Sequence, residues 1–334
     1  MPDGDGSGTG EDILVAKNLV KHFPINQSGL FKKKWVVVRA VDGIDFAIKK
    51  GECLGLVGES GSGKSTTAYM TVGTYGPTGG SLTFKGEDIA RPAVGRPMHL
   101  KKDLQIVFQD PGSSLNPRRS IGSIVEMPLR VHKMARGGKA VEKRVIELLD
   151  MVELPADYRF KSPATIGGGE RQMVAIARAL ATDPSFIVLD EPTSALDVSV
   201  QGKIINMLMQ LQRKLDLTYL FITHDLSLMR NVASRIAIMY LGKIAEVAPA
   251  VEFFERPLHP YTQMLLSSIP VLSPAEEALK PDKIHSIGEI PSPVDVPPGC
   301  GFNTRCPLTT DVCLVEDPVM REIEPGHFVR CHNI

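Results

Sequence analysis

The sequence predicts an α/β fold: a mostly parallel sheet, an antiparallel β region before it, a helical insertion within it and a Pro/Cys-rich extension after it. Three observations predict this. Cys53–Val57, Phe186–Leu189 and Tyr219–Ile222 are short apolar runs of the kind that fill strands buried on both faces. Segments of helical period lie between them. A Gly/Ser loop separates the first run from a helix over Thr66–Val72, which makes one strand–loop–helix unit.

The elements follow in order. Ile13–Val15, Trp35–Val38 and Ile44–Ile48 are β-branched segments, and Gln27–Lys34 between them is a polar turn, so this stretch reads as an antiparallel hairpin region. Lys139–Val152 places Val141, Val145, Leu148, Leu149 and Val152 at helical spacing. Glu170–Ala181 and Val198–Leu215 are further helices, and Arg235–Met239 is a further strand. From Pro274 on, proline density removes backbone donors and breaks helices, so the segment stays extended or needs an external staple. The expected organisation is a disordered tail over 1–12, a nucleotide domain over 13–258 with a helical part at about 111–182, and an extension over 259–334.

Composition narrows the function. Lys plus Arg number 38 and Asp plus Glu number 38, so no basic excess argues for nucleic acid as a partner. No run approaches the ~18 apolar residues that span a bilayer. The Gly/Asp-rich start lacks the pattern of a secretory signal, which places the chain in the cytosol, with any membrane role acting through a partner.

Gly58-Glu59-Ser60-Gly61-Ser62-Gly63-Lys64-Ser65 fits G-x-x-x-x-G-K-[ST], with Thr66 following. The glycines let backbone N–H groups curl around phosphate oxygens, and the helix that starts near Lys64 adds its positive dipole end. Lys64 reaches the β- and γ-phosphates, and the Ser65 hydroxyl is a Mg²⁺ ligand. Asp190 ends the strand Phe186–Leu189 and is placed to hold Mg²⁺; Glu191 is placed to polarise an attacking water.

Further elements in this order resemble the ATP-binding subunits of ABC transporters, an ATP-hydrolysing P-loop family, over about Ile13–Pro270. Gln109 follows the strand Leu104–Phe108, as in the family's Q-loop. Ile166-Gly167-Gly168-Gly169-Glu170 lies where the family signature lies, and Ser194-Ala195-Leu196-Asp197 matches its D-loop. His224 matches the switch histidine, and Phe23 the aromatic that stacks on adenine. The resemblance implies two subunits sandwiching two ATP molecules head to tail. Lys64, Ser65, Gln109 and Asp190 then hold phosphate and Mg²⁺, Glu191 acts as base or water orienter, and His224 contacts the γ-phosphate. Gly167, Gly168, Gly169, Glu170 and Asp197 serve the partner's nucleotide.

Gln109-Asp110-Pro111, Ser114-Leu115-Asn116-Pro117-Arg118 and His259-Pro260-Tyr261-Thr262 are similar to the oligopeptide/dipeptide importer subfamily, as are Gly288-Glu289-Ile290-Pro291-Ser292-Pro293 and the cysteine-rich tail. That resemblance implies uptake of peptides, or of oligosaccharides or nickel, at the cytoplasmic face of the membrane. The implied partners are a second ABC ATPase subunit, two transmembrane permease subunits and an extracytoplasmic solute-binding protein. A soluble ABC ATPase and an iron–sulfur regulatory protein are the competing classes. The usual L-S-G-G-Q signature is altered: Gly167 lacks the serine hydroxyl, and Glu170 puts a charge where an amide belongs. A heterodimer is expected, in which the partner's ATP faces this weakened signature.

Of five cysteines, four lie after residue 299: Cys300, Cys306, Cys313 and Cys331. Their spacing admits zinc, an iron–sulfur cluster or free thiols; the resemblance implies a [4Fe–4S] cluster. Cys53, in an apolar strand, is an inert core residue.

Overall fold

The computed structural model describes residues 10–29, 32–269 and 288–334. Most of the expected N-terminal tail, and Pro274 itself, lie outside the described residues.

Strands β1 (Asp12–Gly29) and β2 (Lys32–Lys49) form a long antiparallel hairpin. The expected turn over Gln27–Lys34 is narrower than its polar sequence suggests, because Gln27 pairs with Lys34 and Gly29 with Lys32. Backbone pairing along the hairpin outweighs weak strand propensity there. The described chain also enters β1 at Asp12, the last residue of the expected tail and one residue before the expected start of the nucleotide domain.

Strand β3 (Cys53–Val57) leads through the glycine loop into α1 (Lys64–Val72). Strands β4 (Gly79–Phe84) and β5 (Glu87–Asp88) extend the hairpin into a four-stranded sheet in the order β2-β1-β4-β5. Helix α2 (Met98–Asp103) and strand β6 (Leu104–Val107) follow.

The helical insertion comprises α3 (Pro111–Ser114), α4 (Ile121–Val131), α5 (Gly138–Met151) and α6 (Gly168–Leu180). In α5, Val141, Val145, Leu148 and Leu149 are buried, the stripe its spacing predicts. The chain continues as β7 (Phe186–Asp190), α7 (Val198–Leu215), β8 (Thr218–Thr223), α8 (Leu226–Val232), β9 (Arg235–Tyr240), β10 (Lys243–Pro249), α9 (Ala250–Glu255) and α10 (Pro260–Ser267).

Beyond 288 come α11 (Asp311–Val315), β11 (Arg321–Glu324) and β12 (His327–Val329). The main sheet has eight strands in the order β11-β12-β10-β9-β3-β8-β7-β6. From β9 to β6 neighbouring strands are parallel, and from β9 outward they are antiparallel.

The two faces of this sheet carry two cores, assigned by the strand period of two. Ile187, Leu189, Tyr219 and Phe221 face the helices of the insertion and α7. Phe186, Val188, Leu220 and Ile222 face the antiparallel sheet. Each fully buried aromatic or aliphatic side chain contributes roughly 1.5–3 kcal/mol relative to exposure, so both faces hold the sheet that presents the glycine loop.

The extension is ordered by more than a staple. Its strand β12 pairs antiparallel with β10 through Glu246↔Val329 and Val247↔Phe328. Beneath that pairing, the fully buried Glu246 accepts from the backbone N–H groups of Leu258 and His259, each at 2.9 Å. Its other close partner is His327 Nε2 at 2.7 Å. Burial pushes His259 down to about 4.

Helix α1 is anchored at the end remote from the glycine loop. The buried Arg96 donates to Met70 O at 2.7 Å, Thr71 O at 2.5 Å and Arg91 O at 2.9 Å. A cation there complements the negative end of the helix dipole. Burial lowers Arg96 to about 10, a value at which it stays charged at neutral pH.

Candidate nucleotide site

The loop 58–63 is shaped by close approach. A Cβ on Gly58 would lie 2.1 Å from Met239 O, and one on Gly63 would lie 2.1 Å from Ala40 O. Gly63 also has φ 109°, which glycine alone adopts without strain, and it starts α1. The loop therefore sits down on β9 and β2 and turns directly into the helix. Ser60, Gly61 and Ser62 form its curve, and Thr66 lies in the first turn of α1.

Lys64 folds back over this curve. Its ammonium donates to Gly58 O at 2.8 Å and Glu59 O at 2.9 Å. Burial lowers its pKa, while the charges of Glu191, Asp190 and Glu59 oppose that shift. Ser65 Oγ donates to Asp190 Oδ1 at 3.1 Å. Asp190 is fully buried, and its Oδ2 has no partner of hydrogen-bonding geometry. Burial raises its carboxyl group, with Glu191 adding to the rise and Ser65, Tyr69 and Lys64 opposing it. A buried, half-satisfied carboxylate beside a serine hydroxyl fits a hard divalent cation.

Three residues from three loops meet at one oxygen. Gln109 Nε2 donates to Glu191 Oε2 at 3.0 Å, and His224 Nδ1 lies 3.2 Å from the same atom. Glu191 has φ 46°, an uncommon conformation for a residue with a side chain. Its backbone N–H is fixed by Ile222 O at 2.9 Å. The strand end thus turns sharply, with Asp190 at the Ser65 side of the turn and Glu191 at the Gln109 and His224 side.

Phe23 is half-buried and packs edge-on against Tyr75, with ring centroids 5.4 Å apart. Tyr69 packs against Tyr75 in turn, and Lys21 Nζ stands 5.0 Å from the centre of the Phe23 ring. Tyr69 and Tyr75 were not legible as site residues, since isolated tyrosines carry no spacing signal. Burial and Asp190 push the Tyr69 hydroxyl up to about 12.

Gly167, Gly168 and Gly169 start α6, where Gly169 is held close to Val200 and Gly168 to Leu196. Glu170 turns back on its own helix: Oε2 accepts from Gly167 N–H at 2.8 Å and Oε1 from the Tyr158 hydroxyl at 2.5 Å. The Tyr158 bond, then the Gly167 bond, hold its carboxyl below the ordinary range. The charge expected to sit poorly beside phosphate is therefore engaged within the chain. Asp197 caps α7, accepting from Val200 N–H at 3.0 Å and Ser199 Oγ at 2.6 Å.

Cys300, Cys306, Cys313 and Cys331 are free thiols. They lie within electrostatic reach of one another, and burial raises Cys300 to about 11. Cys300 N–H donates to Cys313 O at 2.9 Å. Among the described residues, however, no group of three or more His, Cys, Asp or Glu is arranged to hold a metal ion. The thiols share a neighbourhood without forming a ligand set. Cys53 is fully buried, and burial raises its thiol far above the usual range, as expected of an inert core residue.

Comparison with known proteins accords with this geometry. Residues 41–194 match the ABC transporter family, and residues 245–313 match the oligopeptide/dipeptide transporter C-terminal region. The chain is 46% identical to the oligopeptide transport ATP-binding protein AppF of Bacillus subtilis, over 96% of this chain and 97% of AppF. It is also 46% identical to the putative oligopeptide transport ATP-binding protein YkfD of the same organism, over 96% of this chain and 95% of YkfD. Among solved structures, the post-hydrolysis dimer of the ATP-binding cassette MJ0796 with ADP and Pi superposes with TM-score 0.62 at 29% identity, covering 71% of this chain and 98% of that one. With the phosphate loop, the Ser65–Asp190 pair and the Gln109–Glu191–His224 cluster at one rim of the sheet, the chain belongs to the ATP-hydrolysing, ATP-binding subunits of ABC transporters, within the oligopeptide/dipeptide importer family.

Proposed function

We propose that this site binds MgATP through residues 58–66 and hydrolyses it at Glu191, and that hydrolysis drives uptake of peptides. The observation that carries this reading is the meeting of Gln109 and His224 on one Glu191 oxygen, beside the paired Ser65 and Asp190. Lys64 would exchange its loop carbonyls for phosphate oxygens. Phe23, with Tyr75 beside it, offers the adenine an aromatic edge.

Ser65, Asp190 and Gln109 would hold Mg²⁺, which when bound neutralises charge on the phosphates. Asp190 Oδ2, buried without a partner, supports this assignment. Glu191 orients water, and Gln109 and His224 fix the position of its carboxylate. Phosphate release from the assembled transporter, with and without Mg²⁺, tests the assignment. Unchanged hydrolysis by Glu191→Gln would overturn it.

The peptide cargo rests on the likeness to AppF and YkfD, the one an oligopeptide transport ATP-binding protein and the other a putative one. Uptake of a labelled oligopeptide, set against an oligosaccharide and nickel, decides it. The reading places the chain at the cytoplasmic face, with two permease subunits and a solute-binding protein outside. Consistent with a peripheral subunit, no helix among the described residues is long and apolar enough to cross a membrane.

The second ATPase is read as a different chain. Gly167 lacks the hydroxyl that would serve the partner's nucleotide, and both Glu170 oxygens are engaged within this chain. Mass measurement of the intact transporter tests this, and a complex with two copies of this chain would refute it.

The four C-terminal cysteines are read as ligands of a [4Fe–4S] cluster, with zinc the alternative. Their mutual proximity supports the reading, but the thiols would have to close in. Iron, sulfide and zinc assays on anaerobically purified protein decide between them, and a metal-free protein would exclude both.

A further inference from the structure

Glu59 puts a carboxylate inside a loop whose purpose is to bind anions. Left alone it would repel the phosphates, since like charges a few ångströms apart interact strongly where water is scarce. The structure pairs it with a residue from the far end of the chain. Arg305 is 5% exposed and grips Glu59 in a fork: Nη1 donates to Oε2 at 2.7 Å and Nη2 to Oε1 at 3.1 Å. Tyr261 closes the third side. Its hydroxyl accepts from Glu59 N–H at 3.1 Å and lies 3.3 Å from Oε2.

Arg305 is itself confined. The rings of Tyr240 and Phe302 stand 5.8 Å from its guanidinium, and its backbone N–H donates to Phe302 O at 3.0 Å. It directly precedes Cys306. The line of contact then runs onward into the site, because Glu59 O accepts from the Lys64 ammonium at 2.9 Å. Four bonds thus join the C-terminal extension to Glu59, and a fifth joins Glu59 to the lysine of the phosphate loop.

We propose that Arg305 is a positioning residue for ATP binding: it neutralises Glu59 and fixes the phosphate loop, so that the C-terminal extension sets the nucleotide affinity of the cassette. The proposal rests on the ATP site proposed above. It differs from a merely structural clasp in one respect. If the charge of Glu59 is what Arg305 controls, removing that charge relieves the loss of Arg305. If Arg305 only glues two parts together, removing both partners relieves nothing.

The test is binding of a fluorescent ATP analogue with Mg²⁺ to the full-length chain, with unfolding midpoints measured without nucleotide. Arg305→Met weakens binding by at least about five-fold. Arg305→Lys, which keeps the charge but loses the fork, falls between it and the native chain. Adding Glu59→Gln to Arg305→Met raises affinity at least about two-fold above Arg305→Met, to within about two-fold of the Glu59→Gln single variant.

Native-like affinity in Arg305→Met overturns the proposal, as does a double variant that binds as poorly as Arg305→Met itself. If Arg305→Met does not fold, Arg305→Gln with and without Glu59→Gln carries the same comparison. No binding of the analogue by the native chain would instead refute the ATP-site reading, which separates the two failures.

Discussion

Gln109 and Glu191 are 82 residues apart in the chain, yet Gln109 Nε2 lies 3.0 Å from Glu191 Oε2. Parallel pairing of β6 with β7 creates this contact, because it brings the ends of both strands to the same rim of the sheet. Gln109 also opens the helical insertion, so a shift of that insertion moves a hydrogen bond on the proposed catalytic carboxylate. Glu191→Gln is expected to lower phosphate release by the assembled transporter by about 10²–10⁴-fold. Binding of ATP is expected to persist, since phosphate contacts are untouched, and a filter-binding assay checks that.

Gln109 and His224 act on the same oxygen, so their effects are not independent. Gln109→Ala and His224→Ala are each expected to slow hydrolysis. The double variant departs from the product of the two single effects by a coupling of about 0.5–3 kcal/mol. Single-turnover hydrolysis in the four proteins of that cycle measures the coupling, and strict additivity would break the link.

Lys64→Ala removes the ammonium that bridges Gly58 O and Glu59 O. The native chain is expected to gain about 2.7 kcal/mol of stability at a nucleotide concentration 100 times its Kd. The variant gains little at the same concentration. Thermal unfolding with and without MgATP reads the difference.

Glu170 carries a pH signature. Tyr158 and Gly167 hold its carboxyl below the ordinary range, so the stabilisation is present above pH of about 4.3, the usual carboxylate value. It is lost as pH falls through the lowered folded value. Tyr158→Phe removes the larger cause of the depression. The gap in stability between native chain and variant is therefore expected to be widest at neutral pH and to close in acid. Urea unfolding at several pH values checks the sign.

Glu246→Gln leaves the N–H groups of Leu258 and His259 with a weaker acceptor and weakens the contact with His327. A loss of about 1–3 kcal/mol is expected. Hydrogen exchange should show it first in β12, the strand held from below by this carboxylate.

The legible parts of the site were those whose chemistry is written in adjacent residues. The glycine spacing around Lys64 and the apolar run before Asp190 each need only a few consecutive positions. The Arg305–Glu59 fork was not legible, because it joins positions 246 apart and neither residue is unusual where it stands. Strand β12 has only three residues and no periodicity long enough to read, so its place beside β10 depends on tertiary pairing. The Glu170–Tyr158 bond was not legible for a related reason: the residue that engages this carboxylate lies 12 positions away in a different turn.

The pairing of β10 with β12 bears on how the chain is made. Until residues 327–329 have left the ribosome, the edge of β10 has no neighbour, although strands β3 to β9 are already synthesised. Unpaired strand edges invite pairing with other chains. The closing segment therefore acts during synthesis as a cover for the growing sheet. A transcript truncated before residue 327 would yield a cassette with every phosphate-binding residue and an adhesive edge, prone to aggregate rather than merely weaker.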